Sequence, residues 1–215
     1  MYKLNNHSQG KNITLITLIL SASLVGIFSV ITPAQDRGIL SDALLIPAGT
    51  TIPVKYDKGN KILLTREETL SLTLTVADNI KNLQGVTIIP GGSKIIGEIK
   101  PQEKGSQFIS EMVMIGDKEP KSQKFDAISE VITRIEKLIK GGNPERVIKG
   151  AVLGHYAQAV IASLRDNKPI SSDFLRYGGL EALGGWLLRG ESIDLVSIDP
   201  DRDLKLTLRS DFAPQ

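Results

Sequence analysis

The sequence predicts a mainly β protein: a small β-barrel or sandwich with an inserted α-helical hairpin, preceded by one amino-terminal transmembrane helix. Three observations predict it. Apolar and polar residues alternate without a break in LSLTLTV at residues 70–76, and again in LKLTL at residues 204–208, as strands with one dry and one wet face do. A proline–glycine turn pattern occurs twice, as LIPAGTTIP at residues 45–53 and IIPGGSKIIG at residues 88–97. Two apolar, glycine-rich runs of helical length, residues 150–164 and 173–189, interrupt the strand pattern.

The amino-terminal segment comes first in the chain. Residues 13–32 carry no charge, and a helix of that length reaches ~30 Å, the thickness of a hydrocarbon core. Lys3 and Lys11 precede it, and Asp36 and Arg37 follow. The basic flank keeps residues 1–12 in the cytoplasm and sends everything after Pro33 to the non-cytoplasmic side of an inner or other energised membrane. A cleavable signal peptide is the competing reading, since Thr32, Pro33 and Ala34 supply small residues for a cut before Gln35 and an exported soluble form. Residues 33–43 are then a linker, and residues 44–215 form the β-domain.

Within that domain the core of both turns reads [LI]-I-P-[AG]-G-[ST]-x-I. Pro47 and Pro90 are expected to preset the first central position of a tight turn, and Gly49 and Gly92 to accept positive φ after it. Two copies suggest a repeated strand–turn–strand unit within one domain. Residues 107–115 and 125–138 are further strands, the second long and bent, with a turn at residues 116–120 between them. Residues 192–197 and 204–208 restore the alternation, and these last strands must return to the first to close a barrel.

The hairpin insertion occupies residues 143–190. Asn143, Pro144 and Glu145 make a good helix start: Asn can cap free N–H groups, Pro has none, and the carboxylate complements the dipole. The expected first helix runs through residues 150–164 and is broken by RDNKP at residues 165–169. Gly190 is suited to end the second. A helical glycine costs ~1 kcal/mol relative to alanine, so these glycines want a reason. Gly150 and Gly154 lie four apart, and Gly178, Ala182 and Gly185 fall on one stripe, beside Trp186. Small residues at such spacing let two backbones approach closely. These six residues are the candidate packing and interaction positions, and close packing over the β-domain, oligomeric packing and membrane contact all remain open.

Composition narrows the function. At 215 residues the chain can bury one good core or two small ones. A net charge of +2 argues against an electrostatic nucleic-acid binder. The chain has no cysteine, so thiol catalysis and cysteine-bound metals are excluded. His7 precedes the membrane segment, and His155 stands alone as an expected packed or interfacial residue, with no spacing that builds a triad. The glycine-rich stretches do not fit phosphate-cradling loops. DPDRD at residues 199–203 has the alternating carboxylates of a calcium loop but lacks its glycine and closing glutamate, and reads as a polar turn. Lys61, Arg66, Glu67 and Glu68 are expected at exposed strand ends, and residues 118–124 as a solvated loop. No catalytic residue, cofactor, metal or small-molecule substrate is predicted.

The order of these motifs, with Ile46 to Pro53, Ile88 to Glu98, a glycine-rich helical insertion and Asp203 to Leu206, resembles the carboxy-terminal domain of the TrbI family of conjugal-transfer and type IV secretion core proteins. The resemblance covers roughly residues 44–212. It implies a β-barrel that assembles with other protein subunits, an amino-terminal membrane helix, and a two-helix projection that contributes to an outer-membrane channel. The family's long proline-rich linker is absent here: about 11 residues reach at most ~40 Å. The expected role is therefore a non-enzymatic, membrane-anchored envelope protein, a reduced relative that assembles through its hairpin and barrel edges. A monomeric accessory subunit or assembly factor of another membrane complex is the alternative, and an exported hydrolase a remote third.

Overall fold

The computed structural model describes residues 44–116, 120–139, 142–166 and 192–214. The expected transmembrane segment, the linker, and the second helical run with Gly178, Ala182, Gly185 and Trp186 lie outside the described residues. Among the described residues, no helix is long and apolar enough to cross a membrane.

The main sheet is nearly closed. It runs β1 (Thr51–Ile52), β14 (Leu206–Leu208), β10 (Ala127–Ile128), β8 (Gly105–Ile115), β7 (Lys94–Gln102), β4 (Leu70–Val76), β2 (Val54–Lys55), and β9 (Lys121–Lys124) pairs with β8. Its two ends are one run of chain. β1 pairs with β14 and β2 with β4, with Pro53 between them. Proline has no N–H to place in a ladder, so the strand changes partner there, and the last strand returns beside the first as the sequence led us to expect. The interior is filled by Ile52, Leu74, Ile95, Ile99, Phe108 and Leu206, with Phe125 set edge-on to Phe212 at 5.3 Å.

A smaller sheet, ordered β11 (Ile135–Ile139), β13 (Ser192–Ile198), β3 (Lys61–Leu64), β12 (Ala151–Leu153), packs between that core and a helix. Alternation sorts its side chains. Ile62, Leu64, Val196 and Ile198 join the barrel core. Leu63, Ile193 and Leu195 face the other way, and meet Ala157, Val160 and Ile161 of the helix α2 (His155–Asp166). A strand covered on both faces carries no polar side, which is why KILL at β3 shows no alternation. A two-stranded ribbon of β5 (Ile80–Lys81) and β6 (Thr87–Ile89) completes the sheets.

Several expectations change. The strand expected over residues 125–138 is three pieces: β10 in the barrel, a bridge from Ile132 to Ser106, and β11 in the small sheet. Residues 121–124, expected as loop, form β9, still mostly exposed. The turn expected from DPDRD is a short helix, α3 (Pro200–Asp203), capped by Asp199, whose side chain accepts from Asp201 N. Asp203 Oδ2 accepts from Asp199 N at 2.7 Å and its Oδ1 from Arg134 at 3.0 Å, so these carboxylates serve helix ends and an ion pair.

The helix expected over residues 150–164 starts later. Asn143 does cap a helix, α1 (Pro144–Ile148), though without a side-chain bond, and it stops after one turn. Gly150 then takes φ +70° in a turn and β12 follows, pairing in parallel with β3, before α2 begins at His155. The AVL of β12 lies between two glycines and finds an open strand edge, and three ladder partners outweigh the helical preference of its Ala and Leu.

Candidate interaction site

The two proline–glycine turns form one geometry used twice. Gly49 and Gly92 have φ +82° and +91°. Thr50 N donates to Pro47 O and Ser93 N to Pro90 O, at 3.3 and 3.2 Å. Proline thus stands at the first corner of each turn, not at the first central position expected from sequence, and glycine supplies the positive φ at the third.

Each turn clamps one strand end in the same way. Gly49 N donates to Leu208 O and Thr50 O accepts from Leu208 N; Gly92 N donates to Val76 O and Ser93 O accepts from Val76 N. Ala48 N donates to Asp211 Oδ1 at 2.8 Å, and Gly91 N to Asn79 Oδ1 at 2.8 Å. Ile46 bridges Phe212 where Ile89 pairs with Ile80. The correspondence continues along the strands: Thr51 opposes Thr207 as Lys94 opposes Thr75, and Ala127 opposes Leu208 as Val54 opposes Val76. Even the next backbone bond matches, Arg209 N to Asp126 O and Ala77 N to Pro53 O, both 2.8 Å. Only the first copy adds a charge pair, Arg209 Nε to Asp126 Oδ1 at 2.8 Å; that hydrogen bond holds the Arg209 guanidinium above its ordinary pKa.

Sequence reasoning missed Asn79 and Asp211. The signal was present: LTLRSDF at residues 206–212 and LTVADNI at residues 74–80 share their apolar spacing and place a side-chain carbonyl or carboxylate just before the last apolar residue.

The inserted segment is fixed by a residue the sequence placed elsewhere. Glu68, expected at an exposed strand end, is 1% exposed. Its carboxylate accepts from Thr65 N at 3.0 Å, Tyr156 N at 2.7 Å and Ala157 N at 3.2 Å. It therefore closes its own turn and caps α2 from a distant part of the chain, satisfying N–H groups that a helix start leaves free. The legible hint was Thr65-Arg-Glu-Glu68, the S/T-x-x-E spacing of a reciprocal cap. Lys61, also expected to be exposed, is half-buried and ion-paired with Glu136 at 2.9 Å.

Gly154 and Gly150 have local reasons to be glycine. A Cβ on Gly154 would run into the Glu68 carboxylate, and one on Gly150 into the Asn60 side chain. They do not share a helix face, because neither lies in a helix. His155, expected to be packed or interfacial, is exposed at the start of α2, its ring edge-on to Tyr156.

A groove of about 480 Å³ opens on the barrel's outer face between residues 130–134 and α3, lined by Thr51, Glu130, Arg134, Asp203 and Lys205 among others. Among the described residues, no group of three or more His, Cys, Asp or Glu side chains is placed to hold a metal.

No family model matches the chain, and no curated protein matches it. Among solved structures it is similar to ComB10 of the Com type IV secretion system of Helicobacter pylori. That alignment covers 80% of this chain and 90% of that one, at 11% identity and a TM-score of 0.40.

Proposed function

We propose that this chain is a non-enzymatic structural protein of the cell envelope: a TrbI-like β-domain, anchored through residues 13–32 with its bulk on the non-cytoplasmic side, that assembles with other subunits in a complex of secretion or conjugation type. The observation that carries the reading is that the residues bearing the resemblance, Pro47, Gly49, Pro90 and Gly92, are the ones that clamp the barrel. The sequence likeness therefore falls on fold-determining positions. The inserted segment and the barrel edges are the surfaces available for assembly, and Gly178, Ala182, Gly185 and Trp186 belong to that part of the proposal.

The short linker at residues 33–43 favours a second reading, an accessory subunit that docks as a monomer on another membrane complex. Chemical crosslinking and native mass measurement of the detergent-extracted full chain separate the two. Assembly predicts a discrete homo-oligomer or a fixed stoichiometry with sister subunits. A strict monomer at every concentration, recovered with a foreign partner, would replace the first reading by the second.

A further inference from the structure

We propose that residues 151–166 form a latch, a unit that undocks from the small sheet while the barrel stays folded, with Glu68 as its catch. The apolar contacts of α2 belong to a cluster separate from the barrel core: Ala157, Val160 and Ile161 meet Leu63, Leu138, Ile193 and Leu195 on the far face of the small sheet. Removing α2 therefore opens that face without opening the barrel interior, to which the latch contributes one partly buried side chain, Val152 of β12.

β12 lies at the edge of its sheet, pairs over three residues only and is nowhere fully buried. Ahead of it the chain turns at Gly150, whose positive φ suits a pivot. Behind it, Gly154 N donates to Leu63 O at 2.9 Å, and after His155 the amides of Tyr156 and Ala157 both donate to Glu68. The catch is thus one carboxylate gripping the helix start, on a turn of its own held by Thr65 N. Elements with a small independent core and few ladder bonds open at lower free energy than the body they rest on. The inference stands apart from the assembly reading.

Hydrogen exchange read by mass spectrometry on the full chain in non-ionic detergent tests it. In the native chain the amides of β12 and α2 exchange together, and faster than those of β7 and β8. Glu68→Gln keeps the shape and one acceptor but removes the charge. It should speed exchange across β12 and α2 by roughly ten- to a hundredfold, leaving β7 and β8 unchanged. Gly154→Ala, which pushes a methyl group against the same carboxylate, should give the same local pattern. Unchanged exchange in both variants would remove Glu68 as the catch. Acceleration reaching β7 and β8, or failure of Glu68→Gln to fold, would show that α2 and the barrel are one cooperative unit and overturn the latch.

Discussion

The Glu68 carboxylate occupies the space that a side chain at Gly154 would need, and the two residues are separated by half of the domain in sequence. Their fitness is mutual. Gly154→Ala forces the carboxylate off Tyr156 N and Ala157 N, for an expected cost of about 1–3 kcal/mol from the crowding. Glu68→Ala leaves those buried N–H groups without an acceptor, also about 1–3 kcal/mol. Once Glu68 is truncated, the three atoms nearest to a methyl group on residue 154 are gone. The double variant should therefore be destabilised by less than the sum of the singles, by roughly 0.5–3 kcal/mol. Urea unfolding of the four proteins in the cycle, followed by circular dichroism, measures the coupling. Strict additivity would mean that the two groups do not compete for that space.

The paired clamps make a prediction of equivalence. Asn79→Ala and Asp211→Ala each remove one side-chain acceptor from a turn amide, Gly91 N and Ala48 N, at the same 2.8 Å. Both bonds are exposed, so each loss should cost about 1 kcal/mol. Asp211→Asn retains a carbonyl in the same place, as the other copy already does with Asn79, and should recover most of that loss. Urea midpoints of the three variants give the answer. If Asp211→Asn is as damaging as Asp211→Ala, the charge and not the acceptor geometry holds the first turn.

Much of the barrel was legible because its determinants are local. The LSLTLTV alternation gave β4, and the Pro-x-Gly pattern gave turns whose glycine conformation depends on a few neighbouring residues. What failed depended on distant partners. Glu68 reads as a surface charge until the start of α2 comes to rest on it. The AVL of β12 reads as helix until the open edge of β3 is in place. The stretch from Phe125 to Leu138 reads as one strand because nothing local says that its two halves belong to different sheets. Among the candidate packing residues, Gly150 and Gly154 suffered the same way: their spacing was real, but a turn and a carboxylate, not a helix partner, explain them.

Glycine in this domain answers to two different constraints, and alanine substitution separates them. At Gly49 and Gly92 a Cβ would find nothing within 4 Å, but φ lies at +82° and +91°. The cost there is backbone strain alone, about 1–2 kcal/mol and similar at both sites. Gly97 has no positive φ. It sits where the register between β7 and β8 shifts, and a Cβ there would run into Ile109 O, the Phe108 ring and Ser110 Cα. Backbone cannot rotate away as a flexible side chain can, so Gly97→Ala should cost about 3 kcal/mol, the upper end for overpacking. The expected order of urea midpoints is native first, then Gly49→Ala and Gly92→Ala together, then Gly97→Ala lowest. A Gly97→Ala protein as stable as the other two would mean that the two long strands can separate locally without loosening the barrel they close.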